Sequence, residues 1–216
     1  MSLAVSIADL LGGVVLLCAF LQISRRRLTA MITLSQLSAL ALTCIALWRG
    51  VIWHEWALCG VSLLVMGAQV IILPGLLRRL IGQFNLPLAV GGTLPVIWAI
   101  LIGLVPIGLA IMSLLPLPEA DTLAPAWPLG GEAVAFAVLL LGVWLIIIQT
   151  RLLAGVIGFI TFENGLILAL LNAPGLAVVT LIATAALIGL VVGLLLIGER
   201  WYRSLPRQPE ADGIEL

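Results

Sequence analysis

The sequence predicts an all-α integral membrane fold of about seven transmembrane helices, and three observations carry that expectation. Hydrophobic residues make up 63% of the chain and charged residues 9%, where a soluble domain holds about 25% charged. Mean hydropathy is +1.30, too apolar for a surface that must stay wet, so lipid is the expected solvent. The apolar residues also fall into long runs near the roughly 20 residues that a bilayer core about 30 Å thick requires. None of these runs shows the period-2 alternation of a membrane strand.

Taken in order, the apolar stretches cover 5–23, 28–48, 56–77, 93–115, 132–149, 152–171 and 175–198. Arg25-Arg26-Arg27 separates the first from the second, and Trp48 to Glu55 ends the second. Arg78 to Asn85 closes the third. Pro74, Pro95 and Pro106 fall within the third and fourth stretches and are expected to kink them. The longest break, Pro116 to Gly131, holds Glu119 and Asp121. Gln149-Thr150-Arg151 and Asn172-Ala173-Pro174-Gly175 bound the sixth stretch. The polar, proline-containing tail 204–216 is expected to be disordered. A basic n-region with a small-residue cleavage site is not evident at the N-terminus, so no removable signal peptide is expected.

Arginine sets the expected orientation. With the triple-Arg turn in the cytoplasm, Arg25, Arg26, Arg27, Arg78, Arg79, Arg151, Arg200, Arg203 and Arg207 all fall on that side. Asp9, Glu55, Glu119, Asp121 and Glu132 fall on the other, where Arg49 is the single basic residue. This asymmetry follows the positive-inside rule and requires an odd span count, N-terminus outside and C-terminus inside. Trp48, Trp53, Trp56 and Trp201-Tyr202 lie at span ends, where an interfacial aromatic belt belongs.

The charge inventory excludes several function classes. Formal net charge is zero and every basic residue is Arg in short groups, so no broad nucleic-acid surface is expected. Cys18, Cys44 and Cys59 are scattered and His54 is the single histidine. That set is too small for a haem pair, an iron–sulfur cluster or a structural zinc, so no cofactor, metal or catalytic residue is expected in this chain. Cysteines in apolar helices ordinarily serve packing, and His54-Glu55 in an outer loop reads as solvated.

An internal repeat is visible around the basic turns. ISRRRLTAMITLSQLSALAL, from Ile23, resembles IQTRLLAGVIGFITFENGLI, from Ile148, with Arg27-Leu28 over Arg151-Leu152 and Ala30 over Ala154. Two three-helix units running in the same direction are expected, in 1–85 and 132–203, joined by a crossing helix and outer loop in 86–131. In that register Gln36 takes the place of Ile160.

A few polar residues interrupt the spans. Glu163 lies twelve residues beyond Arg151, about 18 Å along a helix, and so near the bilayer centre. A carboxylate at that depth is costly, and such residues mark ion or proton routes or form interhelical hydrogen bonds. Both readings stay open for Glu163. Asn164 follows it, and Gly165 permits close helix approach. Thr29, Thr33, Gln36 and Thr43 share one face of the second span, Ser62 and Gln69 one face of the third, and Thr180 and Thr184 one face of the seventh. These are expected to stitch helices together. Gln69, Thr180, Thr184 and Asn164 are the neutral candidate partners for Glu163, which is expected to face protein and not lipid.

VIGFITFENGLILALL (Val156 to Leu171), with QTRLL upstream and LIATAALIGLVVGLLL downstream, resembles hydrogenase-4 component E. Residues 132–203 are also similar to the K subunit of complex I and the C subunit of multisubunit cation/proton antiporters. Gly158 with Phe162-Glu163-Asn164-Gly165 is the most specific part of the likeness. The resemblance implies a small membrane subunit of a nickel–iron hydrogenase or formate hydrogenlyase-type assembly, in a bacterial cytoplasmic membrane. Its partners would be the hydrogenase-anchoring membrane subunit and the antiporter-like subunits, and catalysis would belong to them. In register, the two acidic residues of the K subunit fall on Ile160 and Ala185, and a lysine expected in the third span is Gln69. These departures point away from direct proton transfer and toward a structural role with a share in coupling. A small self-contained transporter is the alternative from another class.

Overall fold

The computed structural model describes residues 2–83, 95–113, 129–173 and 175–204. Among these residues every regular element is helical, as the apolar runs require when backbone polar groups have no water to bind. The order is α1 (Ser2–Ser24), α2 (Leu28–Trp53), α3 (Trp56–Val65), a π-helical stretch (Met66–Ile72), α4 (Leu73–Gln83), α5 (Val96–Ser113), α6 (Leu129–Ile148), α7 (Leu152–Asn172) and α8 (Ala177–Ser204). The chain is thus an all-α, multi-pass membrane protein. Among the described residues six helical segments are long and apolar enough to cross a membrane, with α3, the π stretch and α4 forming one of them, Trp56–Gln83. α5 is the shorter candidate: its 18 residues rise about 27 Å, and a seventh span depends on it. The loop with Glu119 and Asp121 and the tail 205–216 lie outside the described residues.

Short turns, 25–27 and 149–151, join α1 to α2 and α6 to α7, and each carries arginine. Arg27 and Arg151 occupy the same place in two different turns, each the extended residue immediately before a helix. Among the described residues only Arg27 and Gln149 have β-bridge geometry, so the two turns lie side by side. At the far end of α2, His54 takes a left-handed conformation, φ 54°, and its N–H closes on the Gly50 carbonyl. That local bond supports a backbone region that non-glycine residues seldom enter.

Packing follows chain order. α1 lies against α2, α5 and α6; α2 also touches α3 and α7; α8 touches α3 and α7. The first three spans therefore meet the last three in sequence, α1 on α6, α2 on α7 and α3 on α8. The closest interface is between α6 and α7. A side chain at Gly142 would strike the Phe162 backbone, and one at Gly165 would come within 2.6 Å of the Leu139 nitrogen. Membrane helices gain little from apolar burial against one another, so small residues that let backbones approach are a main source of contact. Met31, Leu42, Ile45, Leu141, Leu145, Ile157, Ile160 and Ile167 fill the interior around this pair.

Two of the three prolines act differently from a simple kink. Pro95 precedes α5, and its carbonyl accepts the Ala99 N–H at 3.1 Å. A proline at a helix start loses no hydrogen bond, so no bend arises there. Pro74 follows the π stretch and lies buried at the start of α4. Pro106 is inside α5.

Candidate functional site

α7 carries the densest set of buried polar side chains. Thr161, Glu163 and Asn164 are each 0–1% exposed, and their helix is walled by α6, α2 and α8. Successive residues on a helix point about 100° apart, so Thr161 and Asn164 share one face while Glu163 points elsewhere. Thr161 Oγ1 lies 2.8 Å from Gln22 Oε1 of α1 and 3.0 Å from the Ile157 carbonyl, so its single proton is shared between two acceptors. Asn164 Nδ2 donates to Ser38 Oγ of α2 at 2.7 Å. α7 is thereby hydrogen-bonded to both α1 and α2 across the interior.

Glu163 faces a different neighbour. The Gln69 amide, from the π stretch, lies within interaction range of its carboxyl group. The pair does not reach hydrogen-bond geometry: both Glu163 oxygens and both polar atoms of Gln69 lack a partner among the described residues. Gln22 Nε2, Asn164 Oδ1 and Thr184 Oγ1 are likewise buried without one. Buried polar groups are nearly always satisfied, so an unmet cluster at mid-span marks either a hydrated site or one that a partner completes. An amide opposite a carboxyl offers donors and acceptors to either protonation state. The arrangement can hold a proton or serve as a polar joint.

Other sequence-predicted residues behave unequally. Gln36 does stitch helices, donating from Nε2 to the Val70 carbonyl at 3.0 Å. The threonines do not: Thr33 bonds to the Thr29 carbonyl and Thr43 to Ala39 within α2, and Thr180 to the Leu176 carbonyl just before α8, each one turn back along the chain. A threonine hydroxyl reaches the carbonyl one turn back without recruiting a second helix, which competes with any partner across an interface. Thr29 and Thr33 are exposed, while Ser62 and Thr184 are buried.

Four contributors escape the sequence reading. Gln22, Ser38 and Thr161 are uncharged residues inside apolar runs, and that placement was the available signal. Arg49 is the fourth. Its guanidinium donates to the Leu171 carbonyl at the end of α7, sits 5.4 Å from the Trp53 ring centroid and lies within electrostatic reach of Asp9. The one arginine on the acidic side is thus a cap for the last turn of α7. Among the described residues no three His, Cys, Asp or Glu side chains gather as a metal site would need.

Compared with known proteins, the chain matches no family, no curated protein and no solved structure.

Proposed function

We propose that the chain is a non-catalytic membrane subunit of a complex I-like assembly of the hydrogenase or formate hydrogenlyase type, in a bacterial cytoplasmic membrane. It lies laterally between the hydrogenase-anchoring subunit and the antiporter-like subunits and holds them together, with its N-terminus outside and its C-terminus in the cytoplasm. Glu163 and its neighbours form an internal polar joint with a share in proton coupling. Nickel–iron and iron–sulfur chemistry belongs to the partners.

One observation carries this reading. The stretch Phe162-Glu163-Asn164-Gly165, on which the resemblance to component E rests, coincides with the buried polar centre of α7, at its close approach to α6. The motif's acid is buried, its amide is tied to α2, and its glycine sets the α6–α7 approach. Bare apolar faces on α5 and α8 suit lateral contacts, with Ile97 72%, Ile182 64% and Ile197 68% exposed.

The test is purification of the tagged chain from its native membrane in mild detergent. Large antiporter-like and hydrogenase-like subunits are expected to co-purify in fixed proportion. Recovery of the chain alone, with solute flux in reconstituted vesicles, would instead favour a self-contained transporter.

A further inference from the structure

We propose that Gln36 and Arg78 clamp the π-helical stretch and so fix Gln69 opposite Glu163, which makes both of them positioning residues for the buried carboxyl. The inference rests on reading Glu163 and Gln69 as the candidate site, and it requires no partner subunit.

Proline supplies the first step. In an α-helix the Val70 carbonyl would bond to the N–H of residue 74, but Pro74 has none, and a proline ring crowds the carbonyl four residues back. The helix cannot continue through this point unchanged. It widens over Met66–Ile72, and the Leu73 N–H reaches back five residues to the Ala68 carbonyl. π stretches of this kind insert one residue per turn and recur at functional sites.

The second step comes from another helix. Gln36 Nε2 donates to the Val70 carbonyl at 3.0 Å, supplying the hydrogen that Pro74 lacks. Gln36 Oε1 in turn accepts from Arg78 Nη2 at 3.0 Å. Arg78 lies one turn beyond Pro74, so both ends of the clamp arise from the sequence around the proline. Gln36 is a bridge: its amide nitrogen holds the distorted backbone while its amide oxygen is held by the guanidinium.

Geometry links the clamp to the site. One inserted residue turns everything beyond it by about 100° relative to a continuous α-helix. Gln69 sits inside the stretch, one residue before the clamped carbonyl, and is 2% exposed beside Glu163. Relaxation of the stretch would rotate Gln69 away from the carboxyl and present an apolar neighbour in its place. The Gln36–Val70 bond is partly buried and the Arg78–Gln36 bond exposed, so Gln36 should matter more than Arg78.

Infrared difference spectroscopy on the full chain in lipid nanodiscs tests this. The Glu163 carboxyl bands are assigned by their loss in Glu163→Gln. Gln36→Leu is expected to shift those bands, and Arg78→Ala to shift them less in the same direction. Arg78→Lys should stay near wild type, because an ammonium group can still donate to Gln36. Melting temperature is recorded alongside, since a merely structural role would lower it without moving the bands. Arg78→Ala changes an exposed residue and keeps the test open if Gln36→Leu does not fold. Bands at the wild-type position in a folded Gln36→Leu variant, or in Arg78→Ala, would overturn the clamp. Gln69→Leu separates the two claims: bands unmoved by it would remove the Glu163–Gln69 pairing itself.

Discussion

α7 and α8 are neighbouring helices of similar composition, yet they meet their surroundings in opposite ways. Over its membrane-crossing window α7 is 56% buried and α8 only 22%. The glycines of α7 at 158 and 165 press on the α6 backbone, whereas Gly189, Gly193 and Gly198 of α8 face open space. α7 holds Thr161, Glu163 and Asn164 against α1, α2 and the π stretch, while α8 turns Val178, Ile182, Leu194 and Ile197 outward. The same residue types therefore do different work. Glycine in α7 permits backbone contact, and in α8 it leaves a surface that lipid or a neighbouring subunit can cover.

The largest expected effect breaks this contrast at its tightest point. Gly142→Leu places a branched side chain where the Phe162 backbone already stands. Overpacking of this kind costs about 3 kcal/mol or more, so the yield of folded protein by size-exclusion chromatography should collapse. Gly189→Leu on α8 should leave the profile unchanged. Equal behaviour of the two variants would contradict the comparison.

Next in size is Glu163. Glu163→Leu sets an apolar side chain opposite the Gln69 amide, which already lacks a hydrogen-bond partner among the described residues, and should lower the melting temperature and, on the proposed function, the amount of complex. Glu163→Gln keeps a hydrogen-bonding group and should assemble normally. If the chain belongs to the proposed assembly, proton uptake by vesicles carrying the Glu163→Gln variant of that assembly sharpens the assignment. Near-normal uptake marks the residue as a joint, and abolished uptake with intact assembly marks it as a step in the route.

Arg49→Ala should cost about 1.5 kcal/mol, the value of a charge-assisted bond to the end of α7, and should show as a modest fall in melting temperature. The smallest effect belongs to Thr33→Ala. Its hydroxyl bonds only to its own helix at an exposed position, so the change should stay within about 0.5 kcal/mol.

Particular residues show why some of this was legible in sequence and some was not. Glu163 stood out because a single acid in a long apolar run admits few explanations, and the structure buries it completely. The span limits were readable because arginine and tryptophan mark where lipid ends. Gln22 and Thr161 were not readable, since an uncharged polar residue barely alters a hydropathy pattern and its value depends on a partner 139 residues away. The π stretch was equally hidden. Pro74 announces a disturbance, but whether it becomes a kink or a widened turn depends on a donor from α2. The threonines misled because a shared helical face does not say whether a hydroxyl looks outward or back to its own carbonyl.

The central claim is that the polar centre of α7 is interior while the outer face of α8 is the surface offered to others. A density map of the tagged chain in its native membrane assembly, read at Glu163, tests this most directly. The account predicts the carboxyl group enclosed within this chain, with Gln69 across from it and Ser38 bonded to Asn164, and the exposed face of α8 covered by lipid or a second subunit. A Glu163 side chain directed into acyl chains, with α8 buried inside the chain's own bundle, would contradict it.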